Sequence, residues 1–441
     1  MVAPLRVGIA GLGTVGAEVV RVIERQERTL SARCGRPVRV VAVTARSKAK
    51  KRGIDLRGIK WAKSPLAIAT DPDVDCFVEL IGGAGDPAGA AIEAALAAGK
   101  AVVTANKALI AKHGLKLAAL AERHNAALNY EAAVGAAIPV IKTLREGLAG
   151  TDIDRIYGIL NGTCNYILTR MEQEGLSFDD CLADAQRLGY AEADPTFDID
   201  GHDTAQKLAI LASLAFGTKV SESSVYVEGI RSITPEDLRA ADDLGYRVKL
   251  LGVAVRTAKG IEQRVHPTMV PKTSSIAQVM GVTNAVSIDG DGIPPITLVG
   301  AGAGAAATAS AVVADIADVA RGIRAVPFSR PVAGLKATAK APMQRHEGGY
   351  YLRLLARDHA GTAATIAKRL AEQDISIESI VQRHPPRSVD ANRKAAKSSV
   401  PVPVILITYA TAEDAVRRAL QAVQRDKVIS GRPQVIRIEK N

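Results

Sequence analysis

The chain has 441 residues, 47% of them hydrophobic, and a formal net charge of +11 at neutral pH. It contains no apolar run long enough to span a bilayer and no export signal at its start, so we expect a cytoplasmic protein of two or three domains without a membrane partner. Four scattered cysteines and histidines without metal-ligand spacing disfavour a disulfide scaffold and a zinc site. With 3% aromatics and no recognition motif, the charge does not indicate a nucleic-acid partner; it favours small anionic ligands or a solvated surface.

The first predicted unit is a strand, a glycine turn and a helix. The strand is predicted at 5–10, and the turn consists of Gly11, Gly13, Thr14, Val15 and Gly16 with Leu12 between them. Gly11 would allow the tight turn, Gly13 would let a pyrophosphate approach the backbone, and Gly16 would let helix and strand pack closely. A second strand is predicted at 38–43, which supplies the context of a dinucleotide-binding unit.

The residues after that second strand favour NADP over NAD. An acidic residue there usually bonds the ribose hydroxyl of NAD, whereas an arginine accommodates the 2′-phosphate of NADP. This chain has no acid at the position and carries Arg46 and Lys48 instead, within a longer run of basic residues. We predict that these two side chains contact the phosphate; NAD as the cofactor and a merely solvated charged loop are the alternatives.

Two later strands, predicted at 74–83 and 101–107, each end in polar or glycine residues. The carboxyl ends of parallel strands line the ligand crevice in open sheets. Thr104, Asn106 and Lys107 would therefore face a bound cofactor or substrate. We expect Lys107 at the strand end rather than on an outer helix face, and its position alone leaves a functional and an incidental role equally open.

The segment 194–207 places several carboxylates ahead of a single lysine on a predicted helix. Asp203 and Lys207 stand four residues apart and share one helix face. Lysine can serve as a general acid or base, but most pairs at this spacing are surface ion pairs of small energy. An acidic loop at 189–195 feeds directly into a buried apolar helix from residue 208, and this context favours a functional pair.

Five motifs, in this order, resemble those of homoserine dehydrogenases: GLGTVG (11–16), VTANKALIA (103–111), EAAVGAAIP (131–139), LNGTCNYIL (160–168) and YAEADPTFDIDGHDTAQKL (190–208). The likeness continues through the glycines at 300–304 and covers roughly the first 335 residues. It implies an NAD(P)-dependent oxidoreductase that interconverts L-homoserine and L-aspartate 4-semialdehyde in threonine, methionine and isoleucine biosynthesis. The alternatives are a dehydrogenase for a related amino-acid aldehyde and a non-catalytic sensor that binds nucleotide and amino acid.

The resemblance also implies the roles of individual residues. Lys207 would be the proton donor, hydrogen-bonded to Asp203 directly or through water, and Lys107 would be a second catalytic or substrate-binding lysine. The implied substrate-binding residues are Glu192, Asp198, Thr163, Gly162 and Tyr190. Main-chain carbonyls would supply most ligands of a monovalent cation such as sodium, which would be held by Glu131, Val134, Ala136 and Ile138. Gly302 would lie near the nicotinamide, with a tight helix-packing turn as the alternative.

The C-terminal third has the pattern βαββαβ, with strands predicted at 350–357, 375–382, 404–409 and 435–438 and helices at 362–372 and 412–425. It resembles an ACT domain, which implies an amino-acid effector such as threonine. The turn that usually reads Asp-x-Pro-Gly lacks its proline at 358–361, so the chain departs from the ACT pattern at this turn. A basic loop at 383–397 reads as a solvated hairpin extension, with an anion contact as the alternative.

We therefore predict an α/β protein of three parts. A Rossmann-type doubly wound parallel sheet is expected from residues 1–133 plus 303–335, and an inserted α+β domain for substrate binding, catalysis and dimerisation from 134–302. A C-terminal ferredoxin-like ACT domain is expected at 348–441. This arrangement predicts a cofactor cleft where the first two parts meet, and the family resemblance implies a homodimer or homotetramer.

Overall fold

The structure is a computed structural model that describes residues 2–337, 343, 346–357, 359–382 and 401–439. The described chain forms two sheets, one wholly parallel and one mixed. Within these residues, no helix has the length and apolar character needed to cross a membrane.

The first sheet has six parallel strands in the order β3-β2-β1-β4-β5-β6. The strands are β1 (Leu5–Ala10), β2 (Val38–Thr44), β3 (Lys60–Trp61), β4 (Cys76–Glu79), β5 (Ala101–Thr104) and β6 (Leu128–Asn129). The helices that connect them are α1 (Thr14–Arg25), α2 (Glu27–Cys34), α3 (Pro65–Ala69), α4 (Ala88–Ala97) and α5 (Lys107–Arg123). Helices cover both faces of such a sheet, which is why its strands read as nearly continuous apolar runs.

Three short helical segments follow, at Glu131–Ala133, in α6 (Val140–Lys142) and in a π-helical turn at Thr143–Gly147, before the chain enters the second sheet. After that sheet, the chain returns to the first in α12 (Ala305–Ala320), which packs against α1. Val312 and Ile316 on α12 join Val19 and Ile23 on α1 in one buried cluster.

The second sheet begins with β7 (Ile153–Ile159), β8 (Tyr226–Val227), β9 (Tyr246–Thr257), β10 (Gly260–Pro271), β11 (Thr283–Gly290) and β12 (Ile293–Ala301). Its helices are α7 (Gly162–Glu174), α8 (Phe178–Arg187), α9 (Thr196–Ile199), α10 (His202–Phe216) and α11 (Pro235–Asp243). Both α7 and α10 pack on β9. Helix α10 is buried along nearly its whole length, as the apolar run from residue 208 predicts.

The C-terminal segment contains β13 (Glu347–Ala356), α13 (Thr362–Ala371), β14 (Ile377–Gln382), β15 (Val402–Thr408), β16 (Thr411–Ala412), α14 (Glu413–Arg425) and β17 (Ile429–Ile438). The strands lie in the antiparallel order β17-β13-β15-β14, so the predicted ferredoxin-like pattern forms. Asp358 and the basic loop 383–397 lie outside the described residues.

The C-terminal sheet is continuous with the second sheet, which the sequence pattern does not predict. Strand β17 pairs in parallel with β10, where Thr268 lies opposite Arg437. The Arg437 guanidinium is 2% exposed and donates to Glu413 on α14 and to Glu228 beside β8. A buried cation thus joins the two parts of the chain, in addition to the strand pairing.

Candidate active site

The glycine turn between β1 and α1 is built by two different constraints. Gly11 has φ +106°, and a Cβ there would collide with the Leu80 main chain. A Cβ on Gly16 would collide with the Gly11 carbonyl, so this glycine closes the turn on itself rather than only spacing helix from strand. A Cβ on Gly13 would meet nothing within 4 Å. Packing does not explain a glycine at 13, whereas close approach of a phosphate to the backbone does.

A cavity of about 720 Å³ opens beside this turn at the carboxyl edge of the parallel sheet. Its lining includes Gly11, Gly13, Arg46, Ser47, Lys50, Arg52, Lys63 and Ser64. Arg46 therefore lies where the sequence predicts, while Lys48 lies over the Trp61 ring at 6.0 Å and is absent from the described lining. Lys63 brings a further cation that sequence reasoning missed, because it arrives from a separate loop after β3.

The loop that carries Arg46 is fixed by Arg52. Its guanidinium donates to the carbonyls of Leu12 at 2.8 Å, Lys50 at 2.6 Å and Ser47 at 2.5 Å. The guanidinium also lies 5.5 Å from the centre of the Trp61 ring. The basic run at 46–52 thus partly holds the glycine turn in place through Arg52, while Arg46 and Lys50 line the cavity.

The carboxyl ends of β4 and β5 are tied together by the buried carboxylate of Glu79. It accepts hydrogen bonds from the main-chain N–H groups of Ile81 and Gly82 and from the Thr104 hydroxyl, the last at 2.6 Å. Thr104 in turn accepts from the Asn106 N–H at 3.0 Å. Sequence reasoning passed over Glu79 as part of a buried strand, although a charged residue at such a strand end is the available signal.

Asn106 caps helix α5, since its side-chain oxygen accepts from the Leu109 N–H at 3.1 Å. Lys107 is consequently the first residue of α5, and the prediction that it ends a strand is corrected by this cap. Strand β5 ends at Thr104, and Ala105 and the cap residue Asn106 separate it from the helix. The side chain of Lys107 nevertheless reaches inward from the helix start.

Two lysines from different parts of the fold meet on one carboxylate. Asp203 and Lys207 lie on α10, and the Lys207 Nζ donates to Asp203 Oδ2 at 2.9 Å and to the Leu160 carbonyl at 2.7 Å. The Lys107 Nζ lies 3.1 Å from Asp203 Oδ1. Asp203 and Lys207 are 4% and 8% exposed, so the pair is not a surface ion pair.

A second carboxylate, Asp198 on α9, is joined to this group by Asn161. The Asn161 Nδ2 lies 2.9 Å from Asp198 Oδ1 and 2.9 Å from Asp203 Oδ2. Sequence reasoning missed Asn161 as a site residue. Its position immediately before the helical part of the LNGTCNYIL motif is the signal that could have identified it.

The two acids have opposite pKa shifts. Burial acts to raise the pKa of Asp203, but the charges of Lys207 and Lys107 and the Asn161 hydrogen bond outweigh it and lower the pKa to about 2. Burial, followed by the charge of Asp203, raises the pKa of Asp198. Asp203 is therefore a fixed anion between two cations, while Asp198 is the acid that lacks a cation in direct contact among the described residues.

The other predicted substrate residues surround the start of α7. The Thr163 hydroxyl donates to the Tyr190 carbonyl at 2.7 Å, and a Cβ on Gly162 would come within 2.7 Å of the Val282 carbonyl. Tyr190 is 44% exposed. Glu192 is exposed in the loop before α9, and no side chain of the described residues is paired with its carboxylate.

Helix α7 is supported from behind by a buried lysine on β9. The Lys249 Nζ donates to Asn165 Oδ1 at 3.1 Å and to the Val279 carbonyl at 2.6 Å. Burial lowers the pKa of Lys249 to about 8. The loop it holds also carries the Val282 carbonyl that packs on Gly162.

The predicted cation loop is buried, and Ala136 in it has φ +47°. The Glu131 carboxylate accepts from the N–H groups of Ile141 and Lys142, each at 2.8 Å, and so serves as a cap for α6. Because the Glu131 carboxylate is used in this way, the main-chain oxygens are the atoms that could bind a cation in this loop, and they belong to Glu131, Val134, Ala136 and Ile138. The described residues contain no group of three or more His, Cys, Asp or Glu side chains arranged for a metal ion.

Gly302, predicted near the nicotinamide, is required by local packing. A Cβ at this position would overlap the amide of Asn284 on β11. This observation favours the tight-turn alternative for the glycines that precede α12.

Comparison with known proteins identifies the family to which the chain belongs. A family model described as homoserine dehydrogenase matches residues 139–317, and one described as homoserine dehydrogenase, NAD binding domain, matches residues 11–131. The homoserine dehydrogenase of Pseudomonas aeruginosa is 43% identical over 443 residues and that of Neisseria gonorrhoeae 41% over 442, each match covering 99% of both chains. The chain belongs to the homoserine dehydrogenase family.

Solved structures of homoserine dehydrogenases share the fold. One from Thiobacillus denitrificans superposes with a TM-score of 0.91 at 43% identity and covers 99% of this chain and 98% of its own. A hyperthermophilic archaeal homoserine dehydrogenase in complex with NADPH has a TM-score of 0.63 at 28% identity and covers 73% of this chain and 99% of its own.

Membership of the homoserine dehydrogenase family makes the chain an NAD(P)-dependent oxidoreductase whose substrates are L-homoserine and L-aspartate 4-semialdehyde. The predicted activity and α/β fold class are thereby confirmed. The two alternatives, a related aldehyde dehydrogenase and a non-catalytic sensor, are not supported.

Proposed function

We propose that Lys207 is the general acid and base of the homoserine dehydrogenase reaction and that Lys107 acts beside it on the substrate oxygen or carboxylate. The observation that carries this proposal is the meeting of both lysines on buried Asp203, within 3.1 Å, although they come from different parts of the fold. A buried carboxylate between two ammonium groups fixes both donors, and fixed donors are what stabilises charge that develops on a substrate oxygen.

The nicotinamide cofactor, when bound, supplies the hydride for reduction of L-aspartate 4-semialdehyde or accepts it from L-homoserine. In the reductive direction the Lys207 Nζ gives a proton to the carbonyl oxygen as it becomes an alkoxide, and L-homoserine results. In the oxidative direction the neutral amine of Lys207 takes the hydroxyl proton. Asp203 orients the Nζ through its 2.9 Å hydrogen bond and remains ionised throughout.

Asp198 and Glu192 are proposed to hold the substrate ammonium group. Asp198 is the better placed, since Asn161 connects it to Asp203, and no donor among the described residues occupies its second carboxylate oxygen, which can accept an ammonium N–H. Thr163, Gly162 and Tyr190 at the start of α7 are proposed to line the same amino-acid head. Glu192, exposed in its loop, would need to turn inward when the substrate binds.

NADP is the proposed cofactor, and NAD is the alternative. Arg46 and Lys63 line the cavity beside the glycine turn, and no acid occurs among its lining residues in the described part of the chain. A 2′-phosphate would thus meet cations there. The structure of the hyperthermophilic archaeal homoserine dehydrogenase in complex with NADPH supports the same choice. Gly11, Gly13, Thr14, Val15 and Gly16 would hold the pyrophosphate, and Thr104 and Asn106 would shape the crevice beside Lys107.

The remaining assignments of the chain are also proposals. The C-terminal segment is proposed to be an ACT domain that binds an amino-acid effector such as threonine, on the support of its βαββαβ order. The chain is proposed to form a homodimer or homotetramer. A sodium-like cation at the carbonyls of residues 131–138 is proposed as a structural ion, and the cytoplasm as the location.

The test is absorbance at the reduced-nicotinamide band while purified protein is mixed with L-homoserine and either NADP⁺ or NAD⁺. Faster reduction of NADP⁺ at equal concentration is expected. A change on adding threonine would support the effector, and loss of activity when sodium is replaced by choline would support the ion. Absence of reduction with both cofactors, with nucleotide binding intact, would overturn the roles of the two lysines.

A further inference from the structure

Asn161 stands at the end of the loop after β7 and is the N-cap of α7. Its side-chain oxygen accepts from the Cys164 N–H at 2.8 Å, and the residue is 6% exposed. Because the oxygen is committed to the helix start, the amide cannot flip. Its NH₂ group is thereby turned toward α9 and α10.

Both hydrogens of that NH₂ group are donated in hydrogen bonds to carboxylates. One N–H is donated to Asp198 and the other to Asp203, each with a nitrogen-to-oxygen distance of 2.9 Å. Two acids on neighbouring helices, the buried Asp203 and the half-buried Asp198, repel, and repulsion of this kind favours retention of a proton by one of them. A neutral donor placed between them favours the ionised form of both and adds no charge of its own.

We propose that Asn161 is a positioning residue that keeps Asp198 and Asp203 ionised and aligned, so that one is free for the substrate ammonium group and the other for the two lysines. The inference rests on the proposed function, which gives those carboxylates their roles. Asn161 itself need not touch the substrate, since it acts through the two acids.

The groups that surround Asp198 show why the amide matters. Asp203 and Lys207 face it from α10 and Lys107 from α5, while the Cys164 thiol on α7 donates to its main-chain carbonyl at 3.2 Å. Burial and then Asp203 raise the pKa of Asp198, and the Asn161 hydrogen bond is the first of the opposing influences, ahead of the charges of the lysines. Loss of the amide should therefore raise this pKa further.

Two variants distinguish the hydrogen bonds from Asn161 to the two acids from its role as a helix cap. Serine and aspartate are both good N-cap residues, so Asn161→Ser and Asn161→Asp retain the cap of α7. Serine is too short to bridge the two acids, and aspartate has the right shape but no N–H. The measurement is KM for L-homoserine and for NADP⁺ across pH, together with thermal melting.

The expected result is a shift of the acid limb of the KM profile for L-homoserine to higher pH. The shift should be on the order of one pH unit in Asn161→Ser and larger in Asn161→Asp, because the latter adds a third acid. KM for NADP⁺ should change little in both variants. Calorimetric binding of L-homoserine across pH in the presence of NADPH, which cannot accept a hydride from it, should show the same shift without turnover.

An unchanged acid limb in Asn161→Ser would overturn the inference. If the serine variant fails to fold, Asn161→Asp carries the same test, and an unchanged acid limb in that variant would overturn the inference. The proposed function fails separately, if the wild-type protein does not turn over L-homoserine. In that case the calorimetric shift still decides whether Asn161 sets the ionisation of the two acids.

Discussion

Replacement of Lys207 offers the sharpest test of the site, because two substitutions separate its charge from its proton. Lys207→Ala removes both, whereas Lys207→Arg keeps a cation whose pKa lies above about 12 and which cannot exchange a proton near neutral pH. If Lys207 is the general acid, kcat should fall on the order of 10²-fold or more in both variants, which corresponds to about 2.7 kcal/mol of lost transition-state stabilisation.

The structure also limits the effect on stability. Lys207 is 8% exposed, but after its truncation Asp203 keeps Lys107 at 3.1 Å and Asn161 at 2.9 Å. The buried anion is not orphaned, so the free energy of unfolding should fall by about 1–2 kcal/mol rather than the roughly 3–5 kcal/mol expected when a buried charge loses its partner. The variants should remain folded at assay temperature.

The assay is the initial rate of NADP⁺ reduction with saturating L-homoserine, with the dissociation constant of NADP⁺ measured by calorimetry. Lys116→Ala is the matched control, since Lys116 is an exposed lysine of α5 that pairs with Glu93. The control should retain wild-type kcat. A Lys207→Arg variant with more than about a tenth of wild-type kcat would refute proton transfer by Lys207, and equal loss of NADP⁺ affinity would make the lysine structural.

Three further predictions follow from the surrounding structure. Arg46→Ala should raise KM for NADP⁺ about tenfold or more and leave KM for NAD⁺ nearly unchanged, because Arg46 lines the cavity without anchoring its loop; equal effects on both would remove its phosphate role. Gly13→Ala should weaken cofactor binding with little change in Tm, whereas Gly16→Ala should lower Tm by several degrees, because only the latter Cβ collides with backbone; equal Tm values would contradict this steric argument. The folded-state pKa of Lys249 is lowered from 10.5 to about 8, so its unfavourable contribution is complete below pH 8 and fades as pH rises toward 10.5. Thermal melting of wild type relative to Lys249→Met should therefore favour wild type increasingly between about pH 7.5 and pH 9.5, by about 1–2 kcal/mol, and a constant difference would contradict the burial argument.

Local patterns in the sequence predict the local parts of this molecule. The glycine turn at 11–16, the helical pair of Asp203 and Lys207 and the βαββαβ order of the C-terminal third all depend on residues close in the chain. Spacing and backbone conformation decide such features, since the 3.6-residue repeat places positions i and i+4 together in any helix.

The contacts between residues far apart in the chain are decided by the tertiary structure, because the spacing of residues in the sequence does not encode them. Lys107 reaches Asp203 from a helix start 96 positions earlier in the chain, and Asn161 reaches the same carboxylate from the cap of α7. Lys63 joins the cofactor cavity from another loop, and Arg437 on β17 links the C-terminal sheet to Glu228 beside β8. Each contact depends on how distant elements pack. The lowered pKa of Asp203 is likewise a property of the folded chain, because only packing brings Lys107 and the Asn161 amide to a carboxylate whose burial alone would raise its pKa.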